Sequence, residues 1–150
     1  MTNPYFYQLQ HVANSINPLL LLISISMVLL AKGIHRYRRA TTLVAITAVV
    51  YGFMFADKIL NLWGSFGGDY STHTAAAIGL AYFISRYATS NYAKYSVWLV
   101  FLMYCGLMMF QRYHTALDIA STAFVVSIFM APIVYLNWNA LLSTLKSKNT

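Results

Sequence analysis

The sequence predicts an all-α fold: one integral membrane domain, residues 1–150, built as a polytopic bundle of about five transmembrane helices. Three observations predict it. Hydrophobic residues make up 59% of the chain and charged residues only 9%, with a mean hydropathy of +0.59, whereas a soluble domain carries about 25% charged residues. The apolar residues gather in five runs, most of them close to the ~20 residues that cross a ~30 Å hydrocarbon core. The basic residues sit between those runs, as membrane topology requires.

The first run extends from about Val12 to Ala31, unbroken from Pro18, and Lys32, Arg36, Arg38 and Arg39 follow it as a basic cluster. The second, 40–56, ends at Asp57-Lys58, where the neighbouring charges read as a simple ion pair. Residues 61–70, with Gly, Trp and Asp, form the one stretch with turn character. The third segment is 71–87, the shortest in wholly apolar sequence; the fourth is 95–110; the fifth is 114–138, with Pro132 inside it. A short polar tail carries Lys146 and Lys148. Tyr5, Trp63, Tyr70, Tyr92, Tyr95, Tyr113 and Trp138 fall near the ends of these segments, as an interfacial aromatic belt places them. Cys105, the single cysteine, lies in an apolar run and reads as a packing residue. Residues 1–17 lack a positive n-region and contain Asn3, Gln8, Gln10, Asn14 and Asn17, so no cleaved signal peptide is expected.

Five spans divide the basic residues unequally. Lys32, Arg36, Arg38, Arg39, Arg86, Lys94, Lys146 and Lys148 share one side; Lys58 and Arg112 share the other. The positive-inside rule then puts the N-terminus outside and the C-terminus in the cytoplasm. The net charge of +7 is explained by this topology, and nucleic acid is not an expected partner. Lys58, Asp69, His73, Arg112, His114 and Asp118 all fall on the non-cytoplasmic side, where the third and fifth segments both begin. Helix N-termini carry positive dipole ends and unsatisfied amides, so two of them side by side suit an anion.

His114 and Asp118 are four residues apart and share a face if the helix begins at Thr115, within reach of a carboxylate–imidazole hydrogen bond. Such a bond fixes the tautomer and leaves the other ring nitrogen free to attack. Ser71 or Thr72 is a candidate N-cap, with His73 in the first turn. His73 and His114 are separated by two antiparallel spans and can return to one membrane face. Phosphoryl transfer needs a nucleophile, a proton for the leaving group and positive charge around the equatorial oxygens. His114 with Asp118, His73, and the pair Arg112 and Lys58 match these needs in turn. Ser71 and Thr72 are further candidate phosphate ligands, and Asp69 a candidate support for His73 or a headgroup. His11 and His35 lie outside the cluster and read as ordinary polar residues.

Gly68-Asp69-Tyr70 followed by Ser71-Thr72-His73-Thr74, together with His114-x-x-x-Asp118, resembles the type-2 phosphatidic-acid phosphatase superfamily, whose second and third signatures are PSGH and SRxxxxxHxxxD. The branch containing the sphingomyelin synthases is the nearest in pattern. The resemblance covers about residues 57–120. It implies that His114 forms a phosphohistidine, that Asp118 is its partner, and that His73 protonates the leaving group without metal or cofactor. Lys58 matches the start of the first signature, KxxxxxxRP, but Ser65 and Phe66 stand where Arg-Pro belongs. Met108 replaces the Arg six positions before the nucleophile, and Thr72 replaces the Gly of SGHT. Arg112 is the expected substitute clamp.

The expected function is therefore a membrane lipid phosphatase acting on a lipid phosphate or diphosphate, such as undecaprenyl diphosphate or phosphatidic acid. Its expected place is a bacterial inner (plasma) membrane, with the site facing the periplasm or exterior. Two alternatives stand beside it. One is headgroup transfer of the sphingomyelin-synthase type, in which a lipid alcohol replaces water. The other is a non-enzymatic bundle whose His and Asp residues bind a metal or relay protons. The bilayer and a membrane lipid are the expected partners, and a homo-oligomer that completes so small a bundle is compatible with the chain.

Overall fold

The computed structural model describes residues 4–135, with side chains from residue 8 onward. Trp138, Lys146, Lys148 and the end of the fifth predicted span lie outside the described residues. Five α-helices follow one another: α1 (Pro4–Leu29), α2 (Gly33–Leu60), α3 (Thr72–Tyr87), α4 (Asn91–Phe110) and α5 (Ala116–Tyr135). A 3₁₀ turn, Gly64–Phe66, interrupts the loop before α3. Four helices (α1, α2, α4 and α5) are long and apolar enough to cross a membrane. With 16 residues, α3 rises only about 24 Å, short of a ~30 Å core.

That short helix is the axis of the fold. It packs against each of the other four, which surround it in the order α4, α1, α2, α5. The sequence explains the choice: Ala75, Ala77 and Ala81 carry only a methyl group that could hold neighbours away, and Gly79 carries none. At Gly79 an added Cβ would meet Ile46 Cγ2 of α2 at 2.8 Å and Met130 Cε of α5 at 3.1 Å. Close approach of helices through small residues is how packing is gained where lipid offers no hydrophobic drive. Large apolar side chains such as Leu102, Met103, Phe124 and Ile128 are left on the outside, as lipid-facing surfaces require.

Helix limits differ from the apolar limits in an instructive way. The basic cluster is helical rather than interhelical, because α2 begins at Gly33 and includes Arg36, Arg38 and Arg39. Two of these arginines reach back over the end of α1. Arg36 donates to Leu29 O and Ala31 O at 2.9 and 2.8 Å, and Arg39 donates to Met27 O at 2.7 Å. Carbonyls at a helix C-terminus have no intrahelical donors, and guanidinium groups satisfy both their valence and their dipole.

The 61–71 loop is folded onto the bundle. Trp63 and Tyr70 are 3% and 6% exposed, so neither belongs to an interfacial belt. They form an edge-to-face pair beside Phe53, which in turn stacks edgewise on Phe129 of α5. Tyr92, Tyr95 and Tyr113 remain exposed at helix ends. Asp57 is a loop anchor rather than half of an ion pair with Lys58: its Oδ1 accepts from Trp63 N at 2.7 Å. Trp63 Nε1 donates to Ser121 Oγ at 2.9 Å. Burial, with Asp57 nearby, pushes the Tyr70 phenol up, keeping it protonated as the donor to Val50 O at 2.9 Å. These bonds fix the chain that leads into α3.

Candidate active site

The N-termini of α3 and α5 are tied together by their own caps. Ser71 is the N-cap of α3, its Oγ accepting from Thr74 N at 3.2 Å and paired with Thr74 Oγ1 at 2.8 Å. At α5, Thr115 and Asp118 form a reciprocal capping box. Thr115 N donates to Asp118 Oδ2 at 2.8 Å, and Asp118 N donates to Thr115 Oγ1 at 3.2 Å. Two bonds then cross between the helices. Asp69 N donates to Asp118 Oδ1 at 2.8 Å, and Ser71 N donates to Thr122 Oγ1 at 3.1 Å. Gly68 permits the first of these, since a Cβ there would stand 3.3 Å from Asp118 Oδ1. The result is one end of the bundle where two positive helix ends lie side by side.

His114 precedes α5 and lies against this junction with its side chain 12% exposed. Its Nδ1 is 3.8 Å from Asp118 Oδ2 and 3.9 Å from Asp69 Oδ2. The direct imidazole–carboxylate hydrogen bond expected from the four-residue spacing is not made. Its physical reason is plain: residue 114 is outside the helix, and both Asp118 oxygens already accept backbone amides. Nδ1 is buried and without a hydrogen-bond partner. It faces two carboxylates at ion-pair distance, which leaves Nε2 as the nitrogen for an incoming group. Active-site bonds of this kind commonly tighten only when substrate is bound.

A cavity of about 420 Å³ opens beside His114, lined also by Arg112, Tyr113, Thr115, Ala116 and Asp118. Arg112 is held at φ +59°. Its N–H donates to Met109 O and the next N–H, of Tyr113, donates to Met108 O. This is the Schellman arrangement, in which the left-handed residue is usually Gly. A β-carbon in that conformation costs about 1–2 kcal/mol, so the arginine side chain is kept against the backbone's preference. Arg112→Gly is expected to raise the melting temperature, because glycine takes the left-handed conformation without that cost. Calorimetry checks it, and an unchanged or lower melting temperature would show that the backbone is not strained at this position.

His73 stands exposed in the first turn of α3. Its Nδ1 is 3.4 Å from Tyr104 Oη of α4, and its carbonyl accepts from Asn17 Nδ2 of α1 at 3.1 Å. Asn17 Nδ2 also reaches Tyr104 Oη, at 3.4 Å. The two imidazoles line different cavities. Among the remaining expected residues, Thr72 lines the cavity beside His73. Ser71 is 0% exposed and fully used as a cap. Lys58, in the last turn of α2, is exposed and lines neither cavity. Asp69 is 76% exposed at its side chain and faces His114 rather than His73.

Tyr104, Asn17 and Thr122 enter the site without a sequence signal. Tyr104 is one of twelve tyrosines, and nothing in its apolar surroundings marks it. Among the described residues no three His, Cys, Asp or Glu side chains converge as a metal-ligand set. No protein-family model, curated protein or solved structure matches this chain.

Proposed function

We propose that the protein is a membrane lipid phosphatase that works through a phosphohistidine on His114, as its resemblance to the type-2 phosphatidic-acid phosphatases implies. The observation that carries this reading is the tying of the α3 and α5 N-termini, which puts His73 and His114 at one end of the bundle with Arg112 beside them. His114 Nε2 attacks phosphorus as the bond to the leaving oxygen breaks, and His73 gives that oxygen its proton. Water then attacks the phosphohistidine, His73 takes the water's proton, and the N–P bond breaks to release inorganic phosphate. Positive charge from Arg112 and the first-turn amides of α5 stabilises the equatorial oxygens in both steps. Transfer to a lipid alcohol shares the first half and differs only in the second acceptor.

The basic residues at the opposite end (Lys32, Arg36, Arg38, Arg39, Arg86 and Lys94) support a cytoplasmic placement for that end and an external one for the site. A bacterial inner membrane with a periplasmic active site fits this charge bias.

The test is phosphate release from a lipid phosphate by purified protein in detergent. Release is expected to survive chelators and to be inhibited by vanadate, which mimics the transferring phosphoryl group. Loss of activity on chelation, restored by a divalent cation, would overturn the histidine mechanism in favour of metal-assisted hydrolysis, and metal binding with no turnover would favour the non-enzymatic bundle.

A further inference from the structure

The cavity beside His114 lies between the end of α4 and the start of α5. His73 opens elsewhere, onto a second cavity of about 430 Å³ between α1, α2 and α3. Thr72 and His73 form its polar end; Leu21, Ile46, Val50 and Leu80 are its apolar walls. Ile46, Val50 and Leu80 are 2%, 3% and 6% exposed and make the floor, whereas Leu21 is 42% exposed at the rim. From Thr72 to Leu80 the groove follows α3 for about 12 Å toward the middle of the bundle. It opens sideways between two helices that are long and apolar enough to span a bilayer. Asn17, Thr47 and Tyr51 also line it, so the cavity is apolar along part of its wall rather than throughout. At about 30 Å³ for a group the size of water or methylene, it takes roughly fourteen carbons.

The geometry points to this α1–α2–α3 groove as the binding site for the hydrocarbon chain of a single-tailed lipid phosphate. The inference rests on the phosphatase reading given above and names its substrate class. The groove begins at the residue that hands a proton to the leaving oxygen, and in a lipid phosphate that oxygen carries the chain. The phosphorus would then sit between the two imidazoles, with the phosphoryl oxygens toward Arg112 and the chain running down past Ala76 to Leu80. The assignment is of one chain to this one groove, so a diacyl lipid would leave its second chain outside it.

Two measurements test it. The first uses a non-hydrolysable single-chain alkyl phosphonate with a photoreactive diazirine at mid-chain, incorporated in phosphatidylcholine nanodiscs holding the full chain. Labelling is expected in α1, α2 and α3 peptides around Leu21, Ile46 and Leu80. It should fall about tenfold in Thr47→Trp and in Ala76→Phe, which narrow the groove from its exposed rim and from its α3 wall respectively. Labelling confined to the outer faces of α4 and α5, or unchanged in both variants, overturns the proposal. So does a crosslink that joins two copies of the chain through groove residues, because a second copy would then be the occupant. The second measurement compares kcat/KM for a long single-chain phosphate with that for its short-chain homologue and for a diacyl phosphatidate. The single long chain is expected to be preferred, with the long-to-short ratio falling about tenfold in the same two variants. Equal or better use of the diacyl lipid overturns the single-tail assignment. If no lipid phosphate is hydrolysed at all, the phosphatase reading fails, while the labelling still decides whether the groove takes a chain.

Discussion

Phosphate release is expected to fall at least about a thousandfold when His114 is replaced by alanine, because the residue that carries the transferring group is gone. The same substitution is expected to leave the fold intact. His114 lies before α5 and takes no part in the capping box, which uses Thr115 and Asp118 alone. Its Nδ1 is a buried polar atom with no hydrogen bond, so truncation removes an unsatisfied group as well as a ring. The expected change in stability is within about 1 kcal/mol. A direct readout follows from the chemistry. Wild-type protein mixed briefly with ³²P-labelled lipid phosphate and quenched in base should retain acid-labile label, and the alanine variant none. Turnover within tenfold of wild type in His114→Ala would remove this residue as nucleophile.

The sequence carried the class of fold because lipid imposes so few solutions: runs of apolar residues near twenty long must be helices. It carried an all-helical chain, but of the five expected spans only four are helices long and apolar enough to cross a membrane, and α3 is 16 residues long. It did not carry the limits of α1 and α2, because arginines that close a helix end look the same in sequence as arginines in a loop. Arg36 and Arg39 belong to the helix since their donors reach the α1 carbonyls. Nor did it reveal α3 as the axis of the bundle. That segment was the least apolar in length, and its small residues matter only once neighbours approach within contact of Gly79. At the site, the two histidine motifs were legible as motifs, yet the way Asp118 serves them was not. Spacing suggested an imidazole partner; the carboxylate is bound by two amides, one of them 49 residues away. Tyr104 at His73 and Thr122 at Ser71 are contacts made by tertiary packing, for which a single sequence holds no local pattern.

That dual use of Asp118 sets up the second large effect. Asp118→Asn replaces one acceptor oxygen by a donor in a position where both oxygens now face N–H groups, and it removes the negative charge beside His114 Nδ1. The first change is structural: one amide, of Asp69 or Thr115, loses its partner, at about 2 kcal/mol for a hydrogen bond to a charged group. The second is catalytic: the imidazole loses the charge that orients it and stabilises it when positive, expected at about a thousandfold in kcat. The two are separable through Asp69, whose carboxylate is 3.9 Å from the same nitrogen but 76% exposed and outside both caps. Asp69→Asn keeps every backbone bond described here and removes only a solvent-screened charge, so its expected effect is about tenfold or less in rate with an unchanged melting temperature. Measured together, Asp118→Asn should lose both stability and turnover, and Asp69→Asn a little turnover alone. Turnover preserved in Asp118→Asn, with stability lowered, would make Asp118 a cap and nothing more. The charge beside His114 would then have to come from Asp69, and the ordering of the two rate effects would be reversed.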